Sequence, residues 1–260
     1  MPFSQKNGIR YFQFQNFSAN ITHAIFTRHG GVSPAPWDSL NLGGGVGDDP
    51  ANLRENRIRA FDALNRDPES VFDLWQVHGT HTIFATEARS PDSHEEKGDL
   101  IFTDNPKITL YMRFADCTPL LFADEKLGIV GIAHAGWRGT VEGVATTAIN
   151  AICRHYGSKA EDIRVGIGPS IGADHYEVGE EVITQVRKNF GADAESLLPK
   201  YGAHRHFDMW QANRILLEKA GVQHIEIAKL CTACHLDDWY SHRAEKGKTG
   251  RFGAIIALKG

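Results

Sequence analysis

The sequence predicts an α+β fold with a mixed sheet, held in one domain that spans residues 1–260. Three observations lead there. Apolar runs of strand length and stretches of helical period alternate unevenly, with hairpins among them, unlike the regular alternation of a doubly wound parallel sheet. The 260 residues are 42% hydrophobic and 23% charged, enough apolar material for a sizeable core. No internal repeat, low-complexity tract or linker divides the chain.

Taken in order, residues 9–17 and 21–27 read as strands with polar breaks. A long loop rich in Gly, Pro and Asn follows. It runs from Thr27-Arg28-His29-Gly30-Gly31 through Ser39-Leu40-Asn41-Leu42-Gly43 to Gly47-Asp48-Asp49. Loops this long inside a domain are usually functional or disordered; Arg28, Asn41 and, further on, Arg57 are the polar side chains that could face a ligand, the alternative being turn glycines and solvated arginines. Asp49-Pro50 is an N-cap followed by proline at the first helical position, so a helix runs to about residue 65. Residues 71–77 form a strand that delivers His78-Gly79-Thr80-His81, and the polar residues 90–98 form an exposed loop. Strands follow over 99–103 and 108–114.

The central stretch is residues 115–140. Residues 119–123 and 128–133 are two short apolar strands around the polar connection Asp124-Glu125-Lys126-Leu127, a four-residue hairpin signal. A hairpin centred between Glu125 and Lys126 places Cys117 directly opposite His134, with Cβ atoms roughly 4.5–5.5 Å apart. A thiol and an imidazole at that separation can share a metal ion. A third ligand, from His78 or His81, would complete a Cys-His-His set with an open fourth position, the pattern of catalytic zinc. Copper is the rival, but the axial methionine of a blue-copper site has no evident source in Met1, Met112 or Met209.

Val141, Val144, Ala145, Ala148, Ile149 and Ile152 make a helical apolar stripe that Gly157 stops. Arg138 then lies at a helix N-terminus, a natural anion seat. Beyond it come a strand over 163–167, a helix over 180–190, a helix over 208–220, a strand over 225–230 and a closing strand over 251–258. Cys231-Thr232-Ala233-Cys234-His235 matches a haem-attachment or redox pattern. With Cys153 standing alone and no second pair, it reads instead as cysteine at a strand end near the site. The single H-x-H, His204-Arg205-His206, is too little for a multicopper cluster.

A net charge of −4 advertises no nucleic-acid or anionic-membrane surface. No export signal and no membrane-length apolar run is visible. Four cysteines are too few for a disulfide scaffold, so a cytoplasmic protein with reduced thiols is expected, monomeric or weakly homo-oligomeric.

Eight blocks together resemble the YfiH-like family, also called the laccase-domain or polyphenol-oxidase family. They are Thr27 to Ser33, Ser39-Leu40-Asn41-Leu42, Asn56-Arg57, Gln76-Val77-His78-Gly79, Ala115-Asp116-Cys117-Thr118-Pro119, His134-Ala135-Gly136-Trp137-Arg138-Gly139, Gly168 to Gly172, and Cys231-Thr232. The resemblance covers about residues 22–258. It implies a single domain with α/β/β/α layers and zinc held by His78, Cys117 and His134, thereby choosing His78 over His81. It also implies phosphorolysis of adenosine, inosine and methylthioadenosine, with adenosine deamination as a second, hydrolytic activity. Polyphenol oxidation with copper and editing of peptidoglycan precursors are the alternative readings attached to the family. Phosphate would then be held by Arg28, Arg57 and Arg138, and a nucleoside with phosphate would be the partners. Ser241-His242-Arg243-Ala244 lacks one arginine of the family's C-terminal block. The zinc deaminase pattern H-x-E with P-C-x-x-C is absent, which leaves Asp116, Asp99 and Glu177 as unassigned candidates for a general acid.

Overall fold

The computed structural model describes residues 3–89 and 96–259. Its strands are β1 (Phe3–Lys6), β2 (Ile9–Phe12), β3 (Ile21–Phe26), β4 (Val71–Phe72), β5 (Thr82–Phe84), β6 (Leu100–Thr103), β7 (Thr109–Phe114), β8 (Thr118–Asp124), β9 (Ile129–Ala135), β10 (Arg164–Ile167), β11 (Lys200–Tyr201), β12 (His204–Arg205), β13 (His224–Ile227) and β14 (Phe252–Leu258). Its α-helices are α1 (Pro50–Ala63), α2 (Trp137–Val141), α3 (Val144–Tyr156), α4 (Glu180–Phe190), α5 (Ala194–Leu197) and α6 (Met209–Lys219). Most strands join two six-stranded sheets, ordered β1-β2-β3-β14-β7-β4 and β13-β10-β8-β9-β6-β5. Both are mixed. The pairs β4–β7, β5–β6 and β10–β13 are parallel and the other pairs in these sheets antiparallel.

Strand alternation explains the layers. Leu110, Met112 and Phe114 of β7 meet Leu121 and Ala123 of β8 and Val130 and Ile132 of β9 in a core between the sheets. The intervening residues face outward. Tyr111 and Ile255 pack with Ala60 and Phe61 of α1, while Leu120, Phe122 and Ala133 pack with Ala145, Ala148 and Ile149 of α3. Helix, sheet, sheet and helix therefore stack in the α/β/β/α order that the resemblance implies.

Several local expectations need correction. The β8–β9 hairpin pairs Pro119, not Cys117, with His134. Asp124 belongs to the ladder opposite Ile129, where its side chain also accepts from the N–H groups of Lys126 and Leu127. Gly128, at φ +66°, closes the turn. The centre of the hairpin thus moves by one residue and the partner of His134 by two. A two-residue shift preserves the face, because side chains repeat every second residue. Cys117 becomes a diagonal neighbour of His134 on the side facing between the sheets.

The helical stripe is broken at Gly143, whose φ of +85° ends α2 and begins α3. Arg138 does lie in the first turn of α2, but that helix is five residues long. The strand expected over 71–77 survives only as β4. Beyond it the carboxamide of Gln76 takes the place of a ladder partner, donating to the carbonyl of Arg113 at 2.8 Å and accepting from its N–H at 3.0 Å. Strand β1 was not expected. It forms with β2 a hairpin turned at Asn7-Gly8, both at positive φ. Residues 90–95 of the expected exposed loop, and Met1, lie outside the described residues. Among the described residues no helix is long and apolar enough to cross a membrane.

Candidate metal centre and its two cavities

His78, Cys117 and His134 offer donor atoms that all lie within 4.8 Å of one another. His134 comes from the end of β9, Cys117 from the crossing between β7 and β8, and His78 from the loop after β4. His81 is not part of the group.

One buried carboxylate arranges the cluster. Asp99, fully buried, accepts from the N–H groups of Val77 at 3.2 Å, His78 at 3.0 Å and Gly79 at 2.7 Å. These three bonds hold His78 at φ +63°, a backbone conformation costly for a residue with a side chain. Asp99 Oδ1 also lies 2.8 Å from His134 Nδ1. That bond makes Nδ1 the donor and leaves Nε2 as the nitrogen available to the cluster, as in carboxylate–histidine–metal triads. Burial pushes the Asp99 carboxyl up, but His134 and the N–H groups of His78 and Gly79 hold it below the usual range. Gly136 leaves the space the cluster needs. A Cβ there would come 2.9 Å from His78 Cδ2 and 3.1 Å from Cys117 Sγ.

The donor set fits a zinc-class or copper-class ion, which thiolate and imidazole both ligate. Burial pushes the Cys117 thiol up, but His134 and His78 beside it bring it down to about 6. Burial pushes the His134 imidazole down, but Cys117 and Asp99 bring it up to about 9. Both shifts favour a thiolate beside an imidazolium, whose proton a cation would replace.

Two cavities meet at this point. The larger, about 650 Å³, is lined by His78, Cys117 and His134 together with Arg57, Arg113, Arg243, Arg251, His242, Trp75 and the backbone of Gly43, Gly44 and Gly45. The smaller, about 240 Å³, is lined by Trp137, Arg138, Ile171 and Met209. His78, Asp116, Cys117 and Tyr176 line both. Burial raises the Tyr176 phenol, so it stays a neutral hydroxyl.

Of the residues expected to bind substrate, Arg57 reaches the larger cavity and Arg138 the smaller. Arg138 stacks on Trp137 and lies 3.9 Å from Glu181. Arg28 and Asn41 line neither. The Arg28 guanidinium is held by the carbonyls of Asp38 and Leu236 and by Glu245. Asn41, fully buried, bonds Asp48 and the backbone of Gly43 and Arg251. Both build the long loop, which Asn56 of α1 anchors by bonding Val32, Ser33 and Asn41.

Sequence reasoning overlooked Arg113 on β7 and Arg251 just before β14, and gave Arg243, in the loop ahead of β14, no role on the cavity; all three reach it from segments distant in sequence. Met209, for which no reason to approach the site was apparent, lines the smaller cavity. Asp116 is committed elsewhere: Thr232 donates to it at 2.7 Å and the N–H of Arg243 at 2.6 Å.

Residues 22–259 match the family described as multi-copper polyphenol oxidoreductase laccase. A purine nucleoside phosphorylase of Deinococcus radiodurans is 39% identical over 92% of this chain and 89% of its own length. A purine nucleoside phosphorylase, ORF3, of Streptomyces griseus is 41% identical over 94% of this chain and 98% of its own. The crystal structure of YlmD from Geobacillus stearothermophilus superposes with a TM-score of 0.93 at 32% identity, covering 100% of this chain and 99% of that one. Bacillus licheniformis YfiH, a hypothetical protein, superposes with a TM-score of 0.92 at 33% identity, covering 99% of each chain. On sequence and on fold together, the chain belongs to the YfiH-like laccase-domain family.

Proposed function

We propose that the chain is a zinc-dependent purine nucleoside phosphorylase, with adenosine deamination as a second activity. The observation that carries this reading is the junction of a Cys-His-His cluster with a cavity edged by Arg57, Arg113, Arg243 and Arg251. Guanidinium groups match phosphate in geometry and charge. The neighbouring faces of Tyr176 and Trp137, with Ile171 and Met209, suit a flat base. The names of the relatives from Deinococcus and Streptomyces point the same way.

In the reaction, a phosphate oxygen forms a bond to C1′ of the ribose while the C1′–N9 bond breaks. Its electron pair leaves with the purine, which takes up a proton. The arginines hold phosphate against the sugar and spread its charge as the bond forms. The neutral Tyr176 hydroxyl, shared by both cavities, supplies a hydrogen-bond donor on the leaving side. Asp99 keeps the His78 loop and the His134 ring in place. A bound zinc would supply Lewis acidity toward a substrate oxygen and lower the pKa of a coordinated water, the requirement for deamination.

The test is to incubate zinc-quantified and metal-stripped protein with adenosine or inosine, with and without phosphate. Free base and ribose 1-phosphate are expected only with phosphate, and inosine from adenosine without it. Absence of turnover by protein carrying stoichiometric zinc would overturn the reading.

A copper-dependent polyphenol oxidase is the second reading, favoured by a methionine, Met209, lining the cavity that His78 and Cys117 also line. Oxygen uptake with phenols, dependent on copper content, would distinguish it.

A further inference from the structure

We propose that the chain carries a second, structural zinc site, formed by Asp174, His175, Cys231 and Cys234. The sequence pattern looked incomplete because a second C-x-x-C was missing. The fold supplies the other two ligands instead, from the segment before Tyr176. The histidine that joins the pair is His175, not the adjacent His235 of the haem-like pattern.

All four donor atoms lie within 4.8 Å of one another. His175 Nδ1 is 3.4 Å from Cys234 Sγ, 3.9 Å from Cys231 Sγ and 3.2 Å from Asp174 Oδ2. Cys234 Sγ is 3.7 Å from Asp174 Oδ2. A tetrahedral zinc with bonds of about 2.0–2.3 Å requires ligand–ligand edges of about 3.3–3.8 Å. These four spacings match such edges with little adjustment. Two sulfurs, an imidazole and a carboxylate are donors that zinc accepts, and four protein ligands close the coordination sphere. The N–H of Gly172 donates to the Cys231 sulfur at 3.2 Å, a hydrogen bond that a metal-bound sulfur also accepts. The thiol protons pass to solvent when the ion binds.

The site has a structural purpose. Thr232, inside the C-x-x-C turn, bonds Asp116 next to Cys117, and His175 immediately precedes Tyr176, which lines both cavities. The segments already run side by side, with Ser170 donating to the carbonyl of Leu230 and Thr232 to that of Ser170. A zinc ion would tie them together at the surface end, where Asp174, His175 and Cys234 are exposed and few packed side chains hold them. This inference is independent of the phosphorylase reading.

The test compares zinc content per chain, by elemental analysis after dialysis against zinc with reductant, in wild type, Cys234→Ser, His175→Ala and Cys117→Ser. Two zinc ions are expected in wild type and one in each variant. Cobalt substitution separates the two sites. Cys117→Ser should retain a thiolate-to-cobalt absorption band, and Cys117→Ser/Cys234→Ser should show it greatly weakened. His175→Ala changes an exposed side chain, so it keeps the test valid if the cysteine variants misfold. Zinc content that is the same in wild type and His175→Ala would overturn the proposal. So would fully reduced wild type that takes up only one zinc ion per chain. Loss of phosphorolysis with two zinc ions still bound would count against the functional reading alone.

Discussion

Replacing Asp99 with Asn keeps the shape of the side chain but removes the charge that His134 Nδ1 and three backbone N–H groups address. The amide nitrogen would face donors, and His78 would lose part of what holds it at positive φ. Asp99→Asn should weaken metal binding by about 10–100-fold, the usual cost of removing such a partner. Titration with a competing chelator measures it, and unchanged affinity would mean that Asp99 does not orient the cluster. The Cys117–His134 pair makes a second prediction, for metal-stripped protein. Cys117, brought down to about 6, adds stability that is present above the ordinary thiol range and is lost as pH falls through about 6. His134, brought up to about 9, adds stability that is present below the ordinary imidazole range and is lost as pH rises through about 9. Between about pH 6 and 9 the two contributions change in opposite directions, so the stability of the stripped protein should stay nearly level there, while the protonation state of the thiol should not. Thiolate absorbance assigned by a Cys117→Ser control should appear near pH 6; appearance only in the ordinary thiol range would refute the pairing. The members of the candidate cluster could be picked out in the sequence because their motifs are local, with the resemblance choosing His78 over His81. Asp99 was visible only as an unassigned acid, because its role depends on a loop 20 residues away and on a strand on its other side.

Elements were legible where a local signal fixes them and misread where a side chain or a turn overrides the pattern. Helix α4 begins and ends where its stripe does, and Asp49 and Asp208 cap α1 and α6 as their residue types suggest. The hairpin was centred one residue too early because Asp124 reads as a loop residue, yet its side chain caps the turn while its backbone stays paired. The Asn7-Gly8 signal of the first hairpin was present but went unread. The overcalled strand after β4 shows a side chain replacing backbone pairing, and this makes Gln76 a sensitive position. Gln76→Ala would leave the N–H and C=O of Arg113 without these partners, at a cost of about 1–3 kcal/mol. The urea midpoint should fall accordingly, and metal affinity should fall with it because Gln76 leads directly into His78. A midpoint equal to wild type would show that the carboxamide contributes nothing.

For the whole molecule, uneven alternation was sufficient to recognise α+β, but not to count sheets. A single mixed sheet and two stacked ones share the same strand periodicities, and only the pairing of residues far apart in sequence separates them. The layered arrangement came from the resemblance, and the packing on both faces of each sheet bears it out. The same long-range geometry hides the cavity arginines, which sit on β7, before β14 and in the loop ahead of it.

The three candidate ligands come from different halves of the sandwich. His78 follows a strand of the first sheet, His134 belongs to the second, and Cys117 sits where the chain passes from one to the other. An ion in that triangle would touch both sheets along one seam. An ion lost there would loosen the molecule at its open edge and leave the interior untouched. Chemistry and the fastening of the two halves would then fail together.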